Sequence, residues 1–191
     1  FEADEKTAAY YGIPLSEIDW IRIDDEAQYE KVLTYDVSTL EPQLSCPQGV
    51  DNVYPISEVL GTPMDEVYIG SCTNGSLEDL KAAADILRGK KVANHVRVIV
   101  VPATNTVFKE AIEKGYIKDF IEAGCVISHP CCGLCCGMPY GLMYDDERIL
   151  LTANRNFIGR QGTKKTLGYL SSPAVAAATA LTGVVTDPRT L

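Results

Sequence analysis

The run Val96-Arg97-Val98-Ile99-Val100-Val101 limits the possible folds more than any other stretch, because all but one of its residues are β-branched and apolar. A run with no polar face reads as a strand covered on both sides, which is the setting of a central parallel strand. Pro102 ends it. Val67-Tyr68-Ile69 precedes it as a short strand and Cys125-Val126-Ile127-Ser128 follows it as another. The stretches between them are helical. Leu77, Leu80, Ala84 and Leu87 recur at helical spacing, Ser76 can cap them with Asp79 completing a box, and Gly89 closes the helix. A second helix starts at Asn105 or Thr106, runs through Lys114 and stops at Gly115, and a third spans 117–123 and ends at Gly124. This alternation predicts an α/β fold, a three-layer αβα arrangement with a mainly parallel sheet, right-handed crossovers and helices on both faces. Ile149-Leu150-Leu151 adds a strand, and residues 173–181 form an Ala-rich helix capped by Ser172 and stopped by Gly183.

The region before this pattern is weaker. Residues 4–11 predict a short helix ending at Gly12, residues 24–32 a second acidic helix, and Val32-Leu33-Thr34-Tyr35-Asp36 a strand-like stretch. Pro42, Pro47, Gly49 and Pro55 mark an irregular connection. Residues 1–45 are therefore read as a connecting segment that packs against something outside the chain, and residues 46–191 as the α/β domain. The polar start at Phe1 is no signal peptide, and its lack of Met reads as a piece of a longer protein. No apolar run approaches the roughly 20 residues of a membrane span. A net charge of −9 disfavours a nucleic-acid partner, which needs clustered positive charge, but leaves room for small anionic substrates.

Cysteine carries the first chemical signal. The chain has seven, Cys46, Cys72, Cys125, Cys131, Cys132, Cys135 and Cys136, an odd and lopsided set. That argues against a secreted disulfide framework and for a metal or redox site in an intracellular, cytoplasmic setting. Cys46 and Cys125 are isolated and read as small buried hydrophobes. The crowded 131–136 run does not. Ligands in open parallel sheets sit beyond the carboxyl ends of strands. Cys72 lies just past the 67–69 strand and the 131–136 run just past the 125–128 strand, so one thiol from the first loop and a Cys-x-x-Cys pair from the second can converge. Three protein ligands leave one metal position open for a substrate. His129 is a further donor in the run, though a His before Pro in a turn is more often a surface residue. Gly133 and Gly137 suit a loop wrapped closely round a bulky centre, with amides near sulfur. Farther on, Asn154-Arg155-Asn156-Phe157-Ile158-Gly159-Arg160 sets two arginines and two asparagines in one loop of an acidic chain. Arginine forks match carboxylates, so this loop suits a di- or tricarboxylate; the alternative is a solvated loop whose arginines balance nearby acids.

Three of these segments together resemble successive signatures of the aconitase family. They are Gly70-Ser71-Cys72-Thr73-Asn74, the Pro130…Cys132-Gly133-Leu134-Cys135…Gly137 loop, and residues 154–160. Ser171-Ser172-Pro173-Ala174-Val175-Ala176-Ala177-Ala178 with Thr182-Gly183 fits the same pattern, and Leu40-Glu41-Pro42-Gln43 resembles the entry into that family's third domain. Within the family the chain looks most like the large subunits that act on 3-isopropylmalate or homoaconitate-type acids. The resemblance implies an iron–sulfur domain holding a [4Fe–4S] cluster on Cys72, Cys132 and Cys135, with the fourth iron a Lewis acid in the dehydration and rehydration of a hydroxy di- or tricarboxylic acid. It implies Arg155 and Arg160 as catalytic and carboxylate-binding residues, Asn154 as a substrate or cluster contact, and Asn74 as a supporting residue.

It also implies partners: a small hydroxy-acid substrate, the preceding domains of the same large subunit with their acid–base groups, and a small swivelling subunit that supplies the serine base. The piece by itself is expected to be inactive. Two positions depart from the family pattern. Cys131 stands where the family has Gly, and Cys136 where it has an aliphatic residue, so neighbouring thiols can compete for iron or pair with each other. Two other readings of the same residues stay open: a zinc or redox Cys module, and a non-catalytic assembly domain of the same fold.

Overall fold

The computed structural model describes residues 2–137 and 141–191; Phe1 lies outside them. The chain divides between Leu40 and Glu41 into two compact units. In the first, helix α1 (Glu5–Tyr11) is capped by the Asp4 carboxylate, which accepts from Thr7 N–H at 2.8 Å, and ends on left-handed Gly12. A 3₁₀ turn, Leu15–Glu17, follows. The acidic helix over 24–32 and the strand over 32–36 do not form. Every residue from Asp19 to Leu40 is exposed, and a short helix in water needs a face to bury.

The second unit begins earlier than residue 46, because β1 (Gln43–Ser45) belongs to its sheet. The elements then run β2 (Val53–Pro55), α2 (Ile56–Val59), β3 (Glu66–Gly70), α3 (Ser71–Asn74), α4 (Leu77–Leu87), β4 (Arg97–Val101), α5 (Asn105–Glu113), α6 (Tyr116–Ala123), β5 (Val126–Ile127), β6 (Arg148–Leu151), β7 (Leu167–Leu170) and α7 (Pro173–Thr182). The seven strands form one sheet in the order β2-β1-β7-β6-β3-β4-β5. β7, β6, β3, β4 and β5 are parallel to one another, and β1 runs antiparallel to both β2 and β7. The α/β class and the mainly parallel sheet are as the sequence predicts. So are the Ser76 capping box of α4 and the Ser172 cap and Gly183 stop of α7.

The two faces of the sheet are covered differently. Val67, Ile69, Val98, Val100 and Leu150 point to one face and pack with buried residues of α4, α5, α6 and α7. α7 is apolar nearly all round, with buried Val175 and a run of buried alanines, as expected for a helix sunk in a core. The alternate residues Tyr68, Ile99, Val101, Ile149 and Leu151 point to the other face and pack under Leu134, Cys135, Met143 and Ala153. This third layer is made of loop and a 3₁₀ turn, Gly133–Cys136, where the strand–helix alternation predicts helices. The crossover helices all gather on the first face.

Glu66 opens β3 on the loop-covered face and is fully buried. Its Oε2 accepts from Arg97 Nε at 2.8 Å, and Arg97 also reaches Glu147; its Oε1 has no hydrogen-bond partner among the described residues. Burial raises the Glu66 carboxyl to about 7, against the pull of Arg97, with Glu147 adding to the rise. A carboxyl with a raised folded-state value binds more protons folded than unfolded, so it favours folding at low pH and that advantage is lost as pH rises through about 7. Urea titrations should therefore show stability falling between about pH 4.5 and 7 by on the order of 3 kcal/mol relative to Glu66→Gln, whose profile should be flatter there. Parallel profiles would remove Glu66 as the cause.

Candidate functional site

The sharpest bend in the chain sets the first thiol. At the end of β3 the backbone turns through Gly70 (φ 110) and Ser71 (φ 70) into the single turn of α3. A Cβ on Gly70 would overlap the carbonyl oxygen of Val101 on β4, so only glycine fits. Ser71 is a non-glycine residue held at positive φ, a conformation that costs of order 1–3 kcal/mol and clusters at functional sites. The bend is held by Thr152, the residue after β6, whose Oγ1 accepts from Gly70 N–H at 2.7 Å. Asn74 Nδ2 donates back to Thr152 O at 2.5 Å. Cys72 is left exposed on this turn.

The second thiol segment leaves β5 and packs over the loop-covered face. Leu134 is fully buried and Cys135 is 5 % exposed, so the segment is anchored by its own core residues. Two side chains grip its backbone. Tyr68 Oη, from the middle of β3, donates to Cys132 O at 3.1 Å, and Arg160 Nε donates to Cys135 O at 2.5 Å. Cys132 and Cys136 are exposed, as is Cys131. The thiols crowd one another: Cys132 is held above its usual pKa, first by the charge of Cys136 and a hydrogen bond with it, then by burial and by the charges of Cys72 and Cys135. Burial and the four thiols of the 131–136 run also push the Tyr68 phenol up.

The third segment, 152–161, leaves β6 beside β3. Asn156 is its peg: buried, it donates through Nδ2 to Ser45 Oγ at 3.1 Å, Cys46 O at 2.9 Å and Gly168 O at 3.1 Å. Asn154 and Arg155 stay exposed, with Arg155 Nη1 donating to Asn154 O at 2.8 Å. The Arg160 guanidinium lies over the Phe157 ring at 5.2 Å. Among the described residues neither Arg155 nor Arg160 pairs with a carboxylate. Arg155 is exposed, as the solvated-loop alternative expects, and the loop's arginines make no ion pair among the described residues.

The remaining candidates lie apart from this cluster. Cys46 and Cys125 are buried, and burial raises both thiols, Cys125 to about 12. His129 is exposed, with its ring edge-on to Phe108 at 5.6 Å. Sequence reasoning did not single out Tyr68, Thr152 or Asn156. Tyr68 lies inside an apolar strand, Thr152 only heads the arginine loop, and Asn156 is distinguished from Asn154 only by its burial.

Because β3, β5 and β6 are parallel, these three segments open on one edge of the sheet, which defines an α/β domain with a thiol- and arginine-bearing site at its strand carboxyl ends. Residues 58–183 match the aconitase family (aconitate hydratase). The chain is 49% identical over 191 residues to a probable 3-isopropylmalate dehydratase large subunit of Methanosarcina mazei, covering 98% of this chain and 46% of that protein. It is 47% identical over 191 residues to a 3-isopropylmalate dehydratase large subunit of Nitratidesulfovibrio vulgaris, covering 100% of this chain and 46% of that protein. A 3-isopropylmalate dehydratase large subunit of Geobacter metallireducens is 51% identical over 175 residues, 92% of this chain and 41% of that protein. The chain belongs to the aconitase family, and it spans less than half the length of these relatives.

Asn156→Ala should cost about 2–4 kcal/mol, since it deletes several buried hydrogen bonds and leaves the Ser45, Cys46 and Gly168 acceptors unpaired. The second expected effect is faster proteolysis within 152–161 than elsewhere. A variant as stable and as resistant as the parent would show that the peg is dispensable.

Proposed function

We propose that this chain is the cluster-binding part of a hydro-lyase that removes and re-adds water on a hydroxy di- or tricarboxylic acid. 3-Isopropylmalate, or a homoaconitate-type acid, is the substrate that fits best, which would give the whole protein a cytoplasmic role in leucine or related amino-acid biosynthesis. The observation that supports the reading is Arg160, which donates to the Cys135 carbonyl, lies next to the thiol loop and has no acidic partner among the described residues. In a chain of net charge −9, free guanidinium groups beside thiols favour an anionic ligand. Among the described residues no three His, Cys, Asp or Glu side chains close on a point that would hold one ion. A multi-iron cluster takes each thiolate on a different iron, and its positive charge relieves the repulsion that Cys132 feels from its neighbours. No helix among the described residues is long and apolar enough to cross a membrane.

Cys72, Cys132 and Cys135 would hold a [4Fe–4S] cluster, which supplies a Lewis-acidic iron toward the substrate hydroxyl. The chain's own side chains bind and orient. Arg155 offers its guanidinium edge to one substrate carboxylate. Arg160 has its Nε committed to Cys135 O and keeps its two terminal nitrogens for a second carboxylate. Carboxylate binding and the position of the Cys135 segment are thereby linked through one side chain. Asn74 and Thr152 fix the start of the arginine loop against the Cys72 turn, so that Asn154, Arg155 and the thiols keep one register. The proton-transfer groups come from outside the chain, from the preceding part of the large subunit and from a small subunit that closes over this edge.

Ligation is tested in the full-length large subunit reconstituted anaerobically with iron and sulfide. Cys72→Ser, Cys132→Ser and Cys135→Ser should each abolish the visible cluster absorbance, while Cys46→Ser and Cys125→Ser should keep it. Bound zinc without sulfide in the unmodified protein would favour the Cys module instead. For substrate binding, Arg155→Lys is cleaner than Arg160→Lys, because Arg160 also holds the thiol loop. A charge-assisted hydrogen bond contributes about 1.5–3 kcal/mol. Arg155→Lys in the assembled enzyme should thus lower kcat/KM by about tenfold or more with the cluster retained. An unchanged kcat/KM would return Arg155 to solvent.

A further inference from the structure

β3 borders all three segments of the site, and Tyr68 is the residue on it that reaches furthest. Its neighbours in register are Ile99 on β4 and Leu151 on β6, so an aliphatic side chain would fill the position as theirs do. Tyr68 is instead a fully buried phenol, and a buried phenol needs a hydrogen-bond partner. That partner is Cys132 O, at 3.1 Å. The same carbonyl accepts from Cys135 N–H at 3.0 Å, the first hydrogen bond of the Gly133–Cys136 turn. The phenol oxygen also lies close against Gly133: a Cβ there would stand 3.1 Å from Tyr68 Oη and 3.5 Å from Cys131 Sγ. Through its backbone, Tyr68 O accepts from Thr152 N–H at 3.0 Å, where the arginine loop begins. Farther along the same strand, β3 ends at the Gly70 bend that carries Cys72.

We infer that Tyr68 is a positioning residue: its hydroxyl pins the start of the thiol turn, with no cluster bound, in fixed register with the arginine loop and the Cys72 bend. The ring fills space in the loop-face core, and the hydroxyl sets the turn. Arg160 grips the same turn nearer its other end, through Cys135 O. Without the Tyr68 hydroxyl the segment keeps its apolar anchor, Leu134, but loses the bond that orients the carbonyl from which the turn starts. A segment with few apolar contacts then opens more often, while the core beneath it is unaffected. The pinning of the turn stands on these contacts; its consequence for a cluster rests on the reading of Cys132 and Cys135 as ligands.

The test uses the full-length large subunit, cluster-free and reduced, and compares the parent with Tyr68→Phe, which keeps the ring. Timed labelling with iodoacetamide, read by mass at each cysteine, follows buried Cys135. Loss of one hydrogen bond should raise its labelling rate about three- to tenfold. Cys125, buried in the helical-face core, is the internal control and should be labelled at the parent rate. An unchanged Cys135 rate would overturn the inference. So would equal acceleration of Cys135 and Cys125, which would make Tyr68 an ordinary core residue. After anaerobic reconstitution with iron and sulfide, the reduced cluster of Tyr68→Phe should give shifted g values in its electron paramagnetic resonance spectrum, and an identical spectrum would overturn the consequence for the cluster. A parent that takes up no iron and sulfide, with Cys135 labelled faster in Tyr68→Phe, would sink the cluster reading and leave the positioning role standing. A parent with a full cluster, and Cys135 labelled alike in both proteins, would do the reverse.

Discussion

The hydrogen bond from Gly70 N–H to Thr152 Oγ1 is the interaction on which the site depends. It joins the ends of β3 and β6 at the place where the chain leaves β3 through two residues of positive φ. Neither residue would hold that shape alone. Gly70 is pressed against the end of β4, and Ser71 is fully buried with a hydroxyl that has no hydrogen-bond partner among the described residues. The strain is tolerated because parallel pairing of β3 with both β4 and β6 fixes the strand ends on either side. The same Thr152 then begins the arginine loop and accepts from Asn74 through its carbonyl. The Cys72 turn and the arginine loop are thus set by one residue, and a shift in one is a shift in the other.

The second thiol segment is joined to this unit by a different device. Its carbonyls, not its sulfurs, are what the protein grips: Tyr68 takes that of Cys132 and Arg160 that of Cys135. The sulfurs are left free, and the neighbouring thiols, Cys136 first, hold the Cys132 thiol above its usual pKa. The backbone is thus held while the thiols of Cys132, Cys135 and Cys136 keep no hydrogen-bond partner outside the segment among the described residues.

Much of this was legible in the sequence, for physical reasons that differ by element. β4 declared itself because a strand buried on both faces has no polar positions, and α4 and α7 because their caps are written in side chains, Ser76 with Asp79 and Ser172 with Gly183. β7 was not legible. Leu167-Gly168-Tyr169-Leu170 is short and glycine-containing, and it is a strand because β6 and β1 pair with it from either side. The acidic stretch at 24–32 failed the other way, since local helix signals without a face to bury do not hold a helix. Residue types that can bear chemistry stand out in the sequence: the cysteines of the 131–136 run, Cys72 and the arginines at 155 and 160 are unusual where they stand, and the family resemblance alone singles out Cys132 and Cys135. The residues that position them do not stand out, because Tyr68, Thr152 and Asn156 act only through atoms brought close by the fold.

The uneven covering of the sheet explains where such a site can exist at all. The helical face is closed by a continuous apolar core reaching from Leu80 to Val185, and moving any part of it exposes buried surface. The loop face has a smaller apolar cluster, and much of its order comes from single hydrogen bonds to carbonyls. Regions held by few apolar contacts open at lower free energy than the core beneath them. The exposed thiols of the 131–136 run and the exposed Arg155 lie with this loop layer, not with the helical one. The first unit extends the same logic. Taken by itself it buries only Ala8 and Ile18 among its apolar residues, while Tyr10, Tyr11, Trp20, Tyr29, Val32 and Tyr35 stay exposed. So many large apolar side chains left exposed on so short a stretch distinguish it from the second unit, whose apolar residues form a closed core.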